Sequence, residues 1–312
     1  MLKSIKNPEY FLNLKSNNYF EGWYYKFINN KNEIISIIPG ISRSNEEEYA
    51  FIQVINNIDN KTYYFKFDID EFSASKAPFN VQVGDNYFGL EKMVLNIDED
   101  DLKLIGEVRI NKITPIEKSA YAPTIMGPFA YIPNMQCNHG IVSLHHRLKG
   151  YLEFNGKKIV FNNGNGYIEK DWGRSFPKEY IWIHGSKMAN TLFFSVAHIP
   201  FLGFSFNGLI SILYVDGKEY RFSTYNLAKI KKLSKKDNKY YIELKRKDHT
   251  LSMILTLNNA KPLISPRDGK MIDTIKESLD SELELVLKEN DEIKYRDTFN
   301  PCLAEVEWES FN

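Results

Sequence analysis

The 312-residue chain has little cysteine, no surplus of either charge and no long apolar run. Its two cysteines, Cys137 and Cys302, lie far apart without CxxC spacing, so they read as free thiols in a reducing compartment, although one long-range bridge is left open. Forty basic and forty acidic residues cancel, so no bulk field draws the chain to nucleic acid or an anionic membrane. No segment approaches the roughly 18 apolar residues of a spanning helix, and the N-terminus MLKSIKNPEYFLNLKSNNYF has no apolar core of signal-peptide length. A cytoplasmic location without a transmembrane segment is therefore expected, with room for a transient contact at a membrane surface. Alternating βαβ patterns are also missing, which disfavours a doubly wound sheet. There is no GxSxG elbow for serine catalysis. The glycines of Asn162-Asn163-Gly164-Asn165-Gly166 precede a strand and read as a turn, not a nucleotide loop.

What is abundant is aromatic: 21 Phe and 19 Tyr. They fall in short β-branched and aromatic runs between Asn, Asp and Gly turns, the pattern of an all-β chain. Connections such as Asn29-Asn30-Lys31-Asn32 and Ile58-Asp59-Asn60-Lys61 predict antiparallel neighbours, and Val215-Asp216-Gly217-Lys218 predicts a hairpin. Helix signals are few, the best over Asp268 to Leu279 and a weaker one over Leu2 to Leu14. The length favours two modest domains over one. The lysine-rich stretch Lys229 to Tyr241 reads as a solvated hairpin end.

One string does not fit either a surface strand or a core strand. Gly166 to Ile183 reads GYIEKDWGRSFPKEYIWI and mixes charges with aromatics. Strand alternation puts Tyr167, Glu169 and Asp171 on one face and Ile168, Lys170 and Trp172 on the other. A carboxyl on the first face, if desolvated, becomes a proton donor near neutral pH. The alternative is an ion pair with Lys170, Arg174 or Arg147. Upstream, an irregular segment with four prolines from Pro115 to Pro133 carries Tyr121, Met126, Phe129, Tyr131 and Met135. It either covers an apolar cavity or plugs its own domain. His145 and His146 point to opposite faces if extended, poor metal geometry even with His139 nearby, so no metal is expected. His145 is the better candidate to hydrogen-bond Glu169, against an ordinary core or surface histidine.

Beyond this local reading, Tyr167-x-Glu169-Lys170-x-Trp172-Gly173-x-x-Phe176-Pro177 followed by Trp182 resembles the tocopherol cyclase family. So do Phe20-Glu21-Gly22-Trp23-Tyr24-Tyr25-Lys26, Gly127-Pro128-Phe129-Ala130, Asp216-Gly217-Lys218 with Tyr220 and Phe222, and Ala304-Glu305-Val306-Glu307. The resemblance implies two antiparallel lipocalin-like β domains, expected over residues 1–170 and 171–312, related to the carotenoid hydratases and meeting around an apolar ligand site. It implies a cofactor-free, acid-catalysed cyclisation of a prenylated aromatic or related isoprenoid, with an isoprenoid hydratase or a non-catalytic carrier of an apolar ligand as alternatives. The aromatic-x-acid pattern falls on Tyr167 and Glu169, with Asp171 standing where the plant cyclases carry an amide. Trp23, Tyr25, Phe129, Tyr131, Trp172 and Trp182 are the candidate substrate-binding side chains, since aromatic faces stabilise a developing cation.

Overall fold

The computed structural model describes residues 6–14, 16–133, 135–201 and 203–309. Among these, two antiparallel sheets of twelve and ten strands account for nearly all regular structure, joined by three short 3-10 turns and no α-helix. This is the all-β, two-domain lipocalin-like architecture that the patterning and the resemblance implied. The chain divides into two compact units, Met1–Phe176 with Ile264–Thr274 and Pro177–Leu263 with Ile275–Asn312. None of the described helical segments is long and apolar enough to cross a membrane.

In the first unit the strand Tyr19–Ile28 lies between Ile34–Arg43 and Asn165–Gly173, and Asn165–Gly173 pairs on its other side with Cys137–Phe154. One face of these strands buries Trp23, Tyr25, Phe27, Ile37, Ile168 and Trp172 in an apolar core. The turns follow their side chains. Asn29 Oδ1 accepts from the backbone N–H groups of Lys31 and Glu33, and Asn32 takes φ 58°, a left-handed conformation that Asn tolerates. The segment between Asn111 and Cys137 is tied down by main-chain bonds from Thr114 N to His145 O and Leu144 N to Thr114 O. It buries Ile116, Ile125, Met126 and Met135 and exposes Tyr121.

The second unit contains the strand Tyr180–Lys187 between Asn190–Phe201 and Glu292–Glu307. Its core includes Ile181, Ile183, Phe194, Leu213, Phe222, Leu244 and Leu285. Asp216 and Gly217 both have positive φ, 50° and 80°, which matches the twist of the strands they join. The lysine-rich stretch forms the hairpin of Lys229–Lys236 and Lys239–Arg246, as its charge pattern predicts.

Both expected helices are absent from the described residues. Asp268 to Leu279 is instead a turn at Asp268-Gly269, again with positive φ at both positions, leading into the 20-residue strand Lys270–Glu289. Ile272, Ile275 and Leu279 mimic helical spacing, but Asp-Gly between two extended runs is a strong hairpin signal and it prevails. Residues 6–14 form no helix, and the rest of the Leu2 to Leu14 expectation, residues 2–5, lies outside the described residues.

Candidate active site

The strand Asn165–Gly173 sorts its charged residues by face, and each face does something different. Register places Glu21 opposite Trp172, Trp23 opposite Lys170 and Tyr25 opposite Ile168. All of these side chains are buried toward the core of the first unit. There Lys170 is fully buried and ion-paired with fully buried Glu21. Its ammonium also donates to Tyr10 O at 2.6 Å and sits 5.1 and 4.8 Å from the ring centres of Trp23 and Trp172. Burial pulls the Lys170 pKa down, and the Glu21 carboxylate opposes that shift. Glu21 accepts further bonds from Leu12 N at 2.8 Å, Asn13 N at 3.2 Å and Tyr19 Oη at 2.6 Å, while Trp23 Nε1 donates to Glu9 O at 2.7 Å. This face clamps residues 9–13 onto the sheet.

The opposite face carries Tyr167, Glu169 and Asp171, with Tyr24 opposite Glu169 and Lys26 opposite Tyr167 on the neighbouring strand. The Tyr167 hydroxyl donates to Glu169 Oε2 at 2.5 Å. From Cys137–Phe154, register brings His139 opposite Asp171. His139 Nδ1 lies 2.8 Å from Asp171 Oδ1, and its Nε2 lies 3.3 Å from Glu169 Oε2. The backbone N–H of His139 is capped by Met126 Sδ at 3.1 Å, so the irregular segment reaches this end of the cluster.

Electrostatics make the cluster a proton store. Burial alone lowers the His139 pKa, but the two carboxylates outweigh it and push the value up to about 10. Burial raises the Asp171 pKa, with His139 opposing, and raises that of the Tyr167 hydroxyl far above the ordinary range, with the Glu169 charge adding to the effect. Cys137 is pushed up too, by burial and then by Asp171 and Glu169. The cluster as a whole therefore keeps a proton between imidazole and carboxylate well into alkaline pH. His139 and Asp171 are the more accessible members, with side-chain exposures of 12% and 21% against 5% for Glu169. His139, Glu169 and Asp171 also offer one ligand atom each within 4.8 Å of one another, a donor set that suits a divalent cation although the sequence spacing gives no sign of one.

The fold thus brings together Tyr167, Glu169 and Asp171 and adds His139, Tyr24 and Lys26. It does not bring Trp23, Tyr25 or Trp172 to that face; they belong to the core, where Tyr25 and Trp23 are fully buried. His145 is also elsewhere. A register shift between Ser143 and His146 carries the strand past it, and its carbonyl accepts from Ser143 Oγ and Thr114 N. His146 is a core histidine, edge-on to Phe27, with its pKa driven down to about 3 by burial. Phe129 lies half-buried in the 3-10 turn Gly127–Tyr131, and Tyr131 is 40% exposed with its hydroxyl donating to Ala120 O. Trp182 belongs to the second unit, stacked on His184 with centroids 6.3 Å apart. The candidate charge partners are spoken for as well: Arg174 pairs with Asp268 and Arg147 with Asn165.

Fold and site together define a two-domain lipocalin-like protein with a largely buried, proton-holding cluster on one sheet. The chain belongs to the tocopherol cyclase-like family, whose model matches residues 117–306. Solved structures of similar fold include CghA, at 12% identity and TM-score 0.59 over 95% of this chain and 90% of that one, and CghA with Sch210972 at TM-score 0.58. Kievitone hydratase from Nectria haematococca matches at 10% identity and TM-score 0.55, over 93% and 89% of the two chains. At these identities the likeness is one of fold.

Proposed function

We propose that the protein is a cyclase- or hydratase-type enzyme that protonates an alkene of an apolar, prenylated aromatic or related isoprenoid substrate. The observation that carries this reading is the largely buried Tyr167–Glu169–His139–Asp171 arrangement, in which a proton is held between imidazole and carboxylates. In the reaction the cluster gives its proton to one alkene carbon, leaving a tertiary cation on the other. A phenol oxygen of the same substrate then closes on that cation, and its proton returns to the cluster. The product is an isomer and the enzyme is restored without a cofactor. Capture by water in place of the phenol gives a hydrate by the same first step. Glu169 is assigned as the donor to substrate, Tyr167 as the hydrogen bond that orients it, and the His139–Asp171 pair as the reserve that reprotonates it.

The test is turnover in deuterated water, after mass spectrometry of compounds co-purifying from the native host has identified a substrate. One solvent deuterium is expected on the former alkene carbon, and Glu169→Gln is expected to cut turnover about a hundredfold or more while ligand binding persists. Undiminished turnover by Glu169→Gln moves the donor to Asp171, and binding without conversion by the wild type makes the protein a carrier.

A further inference from the structure

A charged cavity lies wholly in the second unit, remote in sequence from the proton-holding cluster. It occupies about 140 Å³ and is lined by residues of the strand Lys218–Ser223 and of the hairpin joining Lys239–Arg246 to His249–Thr256. The first of these strands ends one side of the ten-stranded sheet, and Lys239–Arg246 is next to last on the other side. A bond from Arg246 Nη1 to Arg221 O, at 3.5 Å, bridges the seam.

The charges around it do not cancel. Arg221 is neutralised by Glu219, its Nε donating to Oε1 at 2.6 Å, and is held further by Tyr225 Oη at 3.1 Å. The imidazole in the lining is that of His249, whose Nε2 faces Glu289 at 3.3 Å, and Glu289 also meets Lys294 at 3.6 Å. Lys218 and Arg246 have no carboxylate partner among the described residues, and the Arg246 Nε–H is buried without an acceptor. Lys218 leans over the Tyr220 ring, 4.6 Å from its centre, and the Tyr220 ring lies 5.5 Å from that of His249. Two uncompensated cations therefore border a small cavity with an aromatic wall. A buried guanidinium N–H without an acceptor is costly, and an arginine fork is shaped to receive two oxygens of one anion. The volume is too small for a drug-sized apolar ligand, which needs about 300 Å³ or more.

We propose that this cavity binds a compact phosphate-type oxyanion, either free phosphate or the phosphate group of a small ester, through Arg246 and Lys218. The proposal does not depend on the reading of the proton-holding cluster. Inorganic phosphate and phenyl phosphate are titrated into the full chain at constant ionic strength, with chloride as the control, following Tm and the phosphorus NMR line width. A saturable response to phosphate that chloride does not reproduce is expected. Tighter binding of phenyl phosphate assigns the ester as the source, and equal or weaker binding assigns the free ion. Arg246→Gln is expected to weaken binding at least tenfold and Lys218→Gln about threefold. If Arg246→Gln does not fold, as judged by circular dichroism, Lys218→Gln and the wild-type titration decide. A wild type that responds to phosphate only as it does to chloride, or substitutions that leave the affinity unchanged, overturns the proposal.

Discussion

At the scale of single residues, His139 governs how the cluster responds to pH. Its folded pKa of about 10 lies above the ordinary histidine value of 6.5, so its contribution to stability is complete below about pH 6.5 and is lost as pH rises through about 10. Urea midpoints of the wild type should therefore decline between those limits, and His139→Gln should flatten that decline. Asp171 supplies the larger of the two carboxylate effects on His139. Asp171→Asn is thus expected to move the alkaline limb of kcat from near pH 10 toward neutrality, a shift that a merely structural role would not produce. Tyr167, Glu169 and Asp171 were legible in the sequence because alternation within one strand fixes their common face. His139 was not, because its place opposite Asp171, 32 residues away in sequence, depends on the register between two strands, which no local pattern encodes.

At the scale of the element, the strand Asn165–Gly173 joins a chemical face to a structural one. The aromatic and charged residues that make its motif conspicuous divide between the two, which is why Trp23, Tyr25 and Trp172 looked like pocket residues and proved to be core. Removing one partner of the Glu21–Lys170 pair leaves a buried charge alone. Glu21→Gln is therefore expected to cost about 3–5 kcal/mol in urea unfolding, with the Tyr167 face left intact. If stability changes by less than about 1 kcal/mol, Lys170 has given up its charge or found another partner. The strands and hairpins were readable from period-two runs and Asn, Asp and Gly turns. The helix expected over Asp268 to Leu279 does not form because Asp268-Gly269 makes a turn between two extended runs, although Ile272, Ile275 and Leu279 stand at helical spacing.

At the scale of the molecule, the first unit is made from two separated stretches of chain. Gln53 binds the later stretch through Nε2 to Ile264 O at 3.1 Å and from Ile264 N to Oε1 at 2.8 Å, and Ser42 Oγ donates to Gly269 O at 2.7 Å. Gln53→Ala is expected to destabilise the first unit by about 1–3 kcal/mol, because it strands the part-buried N–H and C=O of Ile264. Trp23 and Trp172 belong to the first unit and Trp182 and Trp308 to the second, so fluorescence of a Trp182→Phe/Trp308→Phe background isolates the relevant transition. An unchanged midpoint in that background would mean that the two Gln53 bonds contribute nothing to the unit's stability. During synthesis, at about 5–20 residues per second, residues 1–176 leave the ribosome several seconds before the stretch that completes their unit. The nascent chain therefore carries an unfinished domain while the next one is being made, and a gene cut after codon 176 delivers the twelve-stranded sheet without the later stretch that Gln53 and Ser42 bind, not an exchangeable module.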